Sequence, residues 1–436
     1  MFRDFESYDG IGESAGGASV PITHPGMKLR LDVQMNDEGR PVLHFPFMSI
    51  SDLHLGTKYA RAKKLTHMLH NTVCDRLALV GDIIDGEHML TKRKWNFGVY
   101  HRQVVASVLR KAAQGTHTDN IFGNHDEALR GKNLGSEEAP VMHRSLNGKE
   151  VFGINTLNRT THTDPRGRRF LITHGDEYDD LIFKSPAERT FWYRLGDIGY
   201  AMLYELDHAV GIVCEKLSLE KTFSIAAWGK SKVKNIINER LGVRRVMGKA
   251  IDLMEEFDGA IYGHSHMAGF EQTPDGKTLM NDGCCTEHVQ ALVHDAQGNW
   301  AILEWHSDRL EIEEENGSKF TVRWDDIGLS AFREAVAPVE DAHSANADRL
   351  IRLMYRSWPP LERQLLVRKI HFMQHKMERL QAGGVNIAVL ERGLESDREK
   401  LRTMPGPIAG KVRKSMPVQP QPVNDLLADY ALEIYA

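Results

Sequence analysis

The chain is poor in cysteine. Four occur in 436 residues: Cys74, Cys214, Cys284 and Cys285. Two are adjacent and the others lie far off, so no disulfide framework can be read. Reduced thiols in a cytosolic protein are the expectation. A secretory leader is lacking too: "MFRDFESYDGIGESAGG" is acidic and glycine-rich, with neither a basic start nor an apolar run after it. No stretch reaches about 18 uninterrupted apolar residues, so no spanning helix is expected. There is no strong excess of charge of either sign. A net charge of −5 gives no global pull toward nucleic acid or an anionic membrane. The expected location is cytoplasmic, with peripheral membrane contact as the variant. No internal repeat is found, and nothing fixes the oligomeric state.

What is present is an ordinary globular composition, 41% hydrophobic and 26% charged. The length suits two or three units. Histidine is plentiful, at 21 residues, and several cluster with Asp, Gly and Asn.

Residues 1–44 read as a polar N-terminal arm with a short alternating strand at 28–35. From 45 to about 125 the pattern runs strand ("FPFMSI"), helix (61–72), strand (76–80), helix (95–113), strand (117–122). Further strands are predicted at 150–154 and 169–173. Alternation of this kind builds a layered α/β sheet. Residues 178–257 break it as a long helical insertion, a cap between two strands. Strands resume at 258–263, and "PDG" and "QGN" separate later runs as hairpins. The central domain is expected over 45–310, followed by a helical C-terminal extension at 328–436. In that extension Leu361, Leu365, Ile370, Met373, Met377 and Leu380 form one stripe, and 404–423 is a Pro-rich basic linker.

The chemistry gathers at strand ends. "MSISDLHLGT" ends an apolar run with Asp52 and His54. "LALVGDIIDG" places Asp82 and then Asp85 after another. "NIFGNHDEAL" gives Asn124, His125 and Asp126; "FLITHGDEYDD" gives His174 and Asp176; "AIYGHSHMAG" gives His264 and His266. Ligands of layered α/β proteins bind outside the carboxyl ends of strands. Residues two apart in an extended segment face one side, so each such pair offers two ligands to one cleft. Asp52, His54, Asp82, Asn124, His174, His264 and His266 exceed what one ion needs, and they divide between two if a carboxylate bridges. Oxygen and imidazole without thiolate suit Mn²⁺, iron or Zn²⁺ better than a cysteine-rich structural zinc. Two ions roughly 3.5–4 Å apart clamp the attacking and leaving oxygens of a phosphoryl displacement.

These motifs resemble those of the calcineurin-like metallophosphoesterases: Asp52-Leu-His54, Gly81-Asp82-Ile-Ile-Asp85, Gly123-Asn124-His125-Asp126, His174 and Gly263-His264-Ser-His266. The resemblance covers about 45–305 and implies a four-layer α/β/β/α sandwich with a helical cap. It implies that Asp52, His54, Asp82 and His266 hold one ion. Asp82, Asn124, His174 and His264 then hold the other, with Asp82 bridging. Hydrolysis of a phosphoester or pyrophosphate by metal-activated hydroxide follows from it. His125 takes the role of the acid at the phosphoryl group, with Asp126 orienting it, while Asp85 and Asp176 hold histidine N–H groups.

A narrower resemblance, in "SDLHLG", "GDIID", "HGDEYD", "KSKVKNIINE", "GHSH" and "NDGCCTEHVQALV", is to the UDP-2,3-diacylglucosamine diphosphatase family. It implies Mn²⁺ and a lipid-linked pyrophosphate substrate under the cap, with Trp192, Tyr200 and Lys232 as substrate contacts. The chain departs from that family at His125 and at Cys284-Cys285. Two other readings stay open: a nuclease or nucleotide phosphodiesterase on the same scaffold, which the acidic total disfavours, and a non-catalytic binding module, which would have shed ligands.

Overall fold

The computed structural model describes residues 20–22, 24–86, 97–126, 153–176, 178, 248, 251–252, 254–357, 373, 377 and 388–403. Expectations for 1–19, for most of the cap (with Trp192, Tyr200 and Lys232), for most of the 361–380 stripe and for the 404–423 linker lie outside the described residues.

Two sheets carry the fold, which is an α/β sandwich. The strands of the larger are β1 (Val20–Ile22), β2 (Leu31–Met35), β3 (Pro41–Ile50), β4 (Thr72–Val80), β5 (His117–Ile121), β6 (Ile154–Leu157), β12 (Gln290–His294), β13 (Trp300–Trp305), β14 (Arg309–Glu314) and β15 (Lys319–Arg323). Its main order is β15-β14-β13-β12-β3-β4-β5-β6, with β2 beside β3 and β1 beside β2. The smaller sheet holds β7 (Arg159–Thr163), β8 (Arg169–Thr173), β9 (Gly259–Tyr262), β10 (Gly269–Gln272) and β11 (Thr278–Asn281), in the order β10-β11-β9-β8-β7.

The central strands run parallel: β3 with β4, β4 with β5, β5 with β6, and β8 with β9 in the second sheet. Parallel neighbours bring their carboxyl ends to one edge, which is why the motif loops converge. β3 shows how local sequence sets this up. Its residues 41–44 pair with β2, and 47–49 pair with β12 on the same flank. Pro46, which has no N–H to donate, stands where the partner changes. Beyond it Phe47, Met48, Ser49 and Ile50 are all buried, as expected for a strand covered on both faces.

Phe47, Val80 and Ile121 of the first sheet meet Phe170, Ile172, Ile261 and Met280 of the second, so the core between the sheets is apolar. Full burial of such a ring stabilises by about 1.5–3 kcal/mol. The other face of the large sheet is covered by α1 (Ala62–His70) and α2 (Val99–Ala113), through Leu65, Met68, Val104 and Val108. Ile251 and Phe257 cover the outer face of the small sheet at Leu171, Ala260 and Leu279.

From Val20 the arm belongs to the large sheet, and the sheet continues past 310 to Arg323. Trp324 and Phe332 then pack on Trp305, with ring centroids 4.8 and 6.0 Å from it. Helix α3 (Ala342–Ser357) lies on α2, tied by Arg102–Asp348 at 3.1 Å and Arg110–Asp341 at 2.8 Å. A second C-terminal helix, α4, covers Ala388–Thr403. Strands β7 and β10 escape a sequence reading because they are short and only partly buried. Among the described residues no helix is long and apolar enough to cross a membrane.

Candidate metal centre

The loops after β3, β4, β5, β8 and β9 meet at one edge. The first two stay laddered beyond their strands: Asp52 N–H donates to the Gly81 carbonyl, His54 N–H to Asp82 and Leu55 N–H to Ile83. This places Asp52 and His54 beside Asp82. The expected geometry of the pairs is corrected here. Asp52 and His54 do not converge through the pleat of an extended segment. Their φ values are 52° and 44°, and those of Asp82, His264 and His266 are 52°, 60° and 54°. Among the described residues these are all the non-glycine positions with left-handed backbone. Such a conformation costs an L-residue about 1–3 kcal/mol and collects at functional sites.

Three carboxylate–imidazole groups form. Asp52, His54 and His266 bring one ligand atom each within 4.8 Å of one another; so do Asp82, His174 and His264, and so do His54, Asp85 and His125. Asp82 Oδ2 joins them, lying 3.4 Å from His174 Nε2 and 3.9 Å from the Nε2 atoms of both His54 and His125. Asn124 is buried in the loop between Gly123 and His125. Space is tight: a Cβ on Gly123 would collide with Asp82 Oδ1 and with the His174 ring, and one on Gly81 with His174 Nδ1.

Hydrogen bonds fix the imidazole tautomers. His174 Nδ1–H donates to the Val80 carbonyl at 2.8 Å. His54 Nδ1–H donates to Asp85 Oδ2 at 2.9 Å. A carboxylate or carbonyl only accepts, so in the neutral rings each Nε2 carries the lone pair. Both Nε2 atoms are buried and make no hydrogen bond. Each faces carboxylate oxygen instead. A buried lone pair aimed at a buried carboxylate needs a cation between them. The donor set is oxygen and nitrogen, and the clustered His and Asp groups fit a two-metal site.

The electrostatics agree. Burial alone would push His174 toward neutrality, but Asp82 and Asp52 override it and hold its pKa well above the ordinary value. Burial alone would raise Asp52 and Asp82; His266 overrides it at Asp52, and His174 and His125 at Asp82, holding both low.

The structure gives His125 a partner other than the expected Asp126. Its Nδ1 lies 3.0 Å from Asp85 Oδ1, so Asp85 grips His54 with one oxygen and His125 with the other. Asp126 does not orient that ring. Its carboxylate accepts from Ile83 N–H at 3.0 Å and Gly123 N–H at 2.5 Å, bracing the two loops. Burial and the nearby Asp82 push Asp126 up to about 7. The reason is that the Asp126 carboxylate turns back to backbone N–H groups and spends both oxygens there. Asp176 is buried close enough to add to the field on His174.

Sequence reasoning missed Ser49, Ser51 and Asp282, all fully buried behind Asp52. Asp282 stands in "MNDGCC", which reads as a turn, more than two hundred residues from the serines. Cys284 and Cys285 are buried thiols of the same loop, with no disulfide. A further group, Glu304, His306 and Glu311, lies on β13 and β14. There Glu304 pairs with His288 at 2.8 Å and Glu311 with Arg309 at 2.9 Å, as an ion-pair network.

No family model matches the chain, and no curated protein does. Among solved structures the chain is similar to a conserved uncharacterized protein of Streptococcus pneumoniae TIGR4, described as a predicted phosphoesterase. Identity is 11%, coverage 63% of this chain and 96% of that one, and the TM-score 0.22. It is also similar to a dimetal phosphatase of Danio rerio, at 12% identity, 64% and 99% coverage and a TM-score of 0.24.

Proposed function

We propose that this chain is a dimetal-dependent hydrolase of phosphoester or pyrophosphate bonds. The observation that carries the reading is the position of Asp82 Oδ2, set among the Nε2 atoms of His54, His125 and His174. One ion would be held by Asp52, His54, Asp82 and His266, the other by Asp82, Asn124, His174 and His264. Bound divalent ions polarise a phosphoryl oxygen and lower the pKa of water toward neutrality. The chain's own residues supply the rest. Asp85 fixes His54 and His125 through their Nδ1 atoms. The His125 side chain is 23% exposed and holds its Nε2 3.9 Å from Asp82 Oδ2, where it would give a proton to a leaving oxygen.

The finer reading is hydrolysis of a nucleotide-linked, lipid-bearing pyrophosphate with Mn²⁺. It is supported by the sequence motifs and by the aromatic and basic content of 178–257, where Trp192, Tyr200 and Lys232 would meet substrate. A peripheral membrane contact would go with it.

The test is a panel of phosphomonoesters, phosphodiesters and pyrophosphates, assayed with Mn²⁺ and with chelator. Activity on one class that chelator abolishes supports the proposal; metal-independent turnover, or none on any class, sinks it. The lipid reading is tested by Trp192→Ala. A loss confined to the lipid-linked substrate, of about 1–3 kcal/mol in binding, supports it. Equal losses on lipid-linked and small soluble substrates reject it.

A further inference from the structure

Behind the cleft a row of buried oxygens leads from Asp282 to the candidate ligand Asp52. Asp52 Oδ2 accepts from the His264 N–H at 2.9 Å and from Ser51 Oγ at 2.7 Å. Its other oxygen, Oδ1, faces the imidazoles, 2.9 Å from His266 Nε2 and 3.8 Å from His54 Nε2. Ser51 Oγ stands 2.5 Å from Asp282 Oδ1, and Ser49 Oγ bonds Asp282 Oδ2. Ser49, Ser51, Asp52 and Asp282 are all 0% exposed.

Counting hydrogens decides the direction of the row. Ser51 Oγ makes two short contacts, with Asp52 Oδ2 and Asp282 Oδ1, and a longer one of 3.2 Å with the Gly283 carbonyl; each short contact needs a hydrogen. A hydroxyl brings one. Asp52 Oδ2 already accepts from the His264 N–H and acts as an acceptor, so the second hydrogen belongs to Asp282. We infer that Asp282 is a positioning residue: as a neutral acid it donates to Ser51, Ser51 donates to Asp52 Oδ2, and the carboxylate is thereby locked with Oδ1 toward the metal site. Burial, which pushes the Asp282 carboxyl up to about 7, acts in the same sense. The arrangement has a physical purpose. An anion behind Asp52 would repel it, whereas a neutral donor steadies it and adds no charge. Partners that orient ligating groups typically contribute about 10–100-fold to metal affinity.

The inference rests on the metal-centre reading, and the test separates the two. Metal-free full-length chain is titrated with Mn²⁺ against a chromophoric chelator, with folding followed by circular dichroism. Ser51→Ala and Asp282→Ala are expected to weaken one of the two ions, the one Asp52 would hold, by about 10–100-fold. Asp282→Asn keeps an N–H donor where the acid had its O–H, so it is expected to bind close to the wild-type affinity. A folded Ser51→Ala chain that binds as tightly as wild type overturns the inference and leaves the metal centre standing. So does an Asp282→Asn chain as weak as Asp282→Ala. If Asp282→Ala does not fold, Ser51→Ala and Asp282→Asn still decide. A wild-type chain that binds no Mn²⁺ removes the metal centre and this inference with it.

Discussion

His174 presents its Nε2 to Asp82 Oδ2 at 3.4 Å while its Nδ1–H is spent on the Val80 carbonyl. In the metal-free chain the cation between them is a proton, because Asp82 and Asp52 outweigh burial and keep the His174 pKa high. A metal must displace that proton. Calorimetric titration with Mn²⁺ at pH 7, in two buffers of different ionisation enthalpy, is therefore expected to show proton release. Affinity should fall as pH is lowered. Heats that do not depend on the buffer would contradict this account.

Asp82→Ala should cost the chain both ions. It removes the oxygen proposed to bridge the two ions and leaves two cations unscreened. Elemental analysis is expected to fall from two ions per chain to none. Retention of two would mean that Asp82 does not bridge.

His125 and Asp126 should behave differently when changed. His125→Ala is expected to keep both ions and lower kcat by roughly 10²–10⁴-fold. Asp126→Ala leaves two buried N–H groups unsatisfied, and its cost should appear in stability, about 1–3 kcal/mol for each group. Urea midpoints and single-turnover rates on both variants check the distinction. A purely kinetic effect of Asp126→Ala would return it to the chemistry.

A pH-dependent weakness lies between the sheets. His162 on β7 and His294 on β12 meet Nε2 to Nε2 at 2.8 Å. His294 Nδ1–H donates to the Asp295 carbonyl, so its Nε2 accepts from His162, whose Nδ1 faces Arg76. Burial holds both pKa values down, and at His162 the neighbouring His294 and Arg76 add to it. Unfolded rings take up protons below about 6.5, and these do not. The unfolded state then binds more protons, so stability falls as pH drops through that range, by up to about 1.4 kcal/mol per pH unit for each ring. Urea midpoints at pH 7.5 and 5.5 test this. The double variant His162→Gln, His294→Gln should flatten the slope.

The sequence carried the ligand motifs because each is a local string at the end of an apolar run, as in Asp52-Leu-His54. It could not carry how those strings bend. A left-handed φ at Asp52 is invisible in a string whose spacing also fits a strand, and the same convergence was available by either route. Partners from distant segments were beyond reach for a similar reason. Asp85 takes two imidazoles from different loops, and Asp282 takes two serines across the sheets. Neither pairing leaves a periodicity or spacing to read. The pairing of β1, β14 and β15 into the large sheet is not legible either, because it depends on neighbours distant from any local pattern.

The two groups proposed to hold ions each draw from both sheets. Asp52 and His54 follow β3 of the large sheet while His266 follows β9 of the small one; Asp82 follows β4 while His174 and His264 follow β8 and β9. Any ion seated there is a rivet through the sandwich, fastening the rim of a joint whose middle is packed mainly with apolar side chains. Free metal at a hundredfold excess over Kd adds about 2.7 kcal/mol to the folded state for each ion. Metal supply would thus set how firmly the two halves of this molecule stay shut, apart from anything done to a substrate.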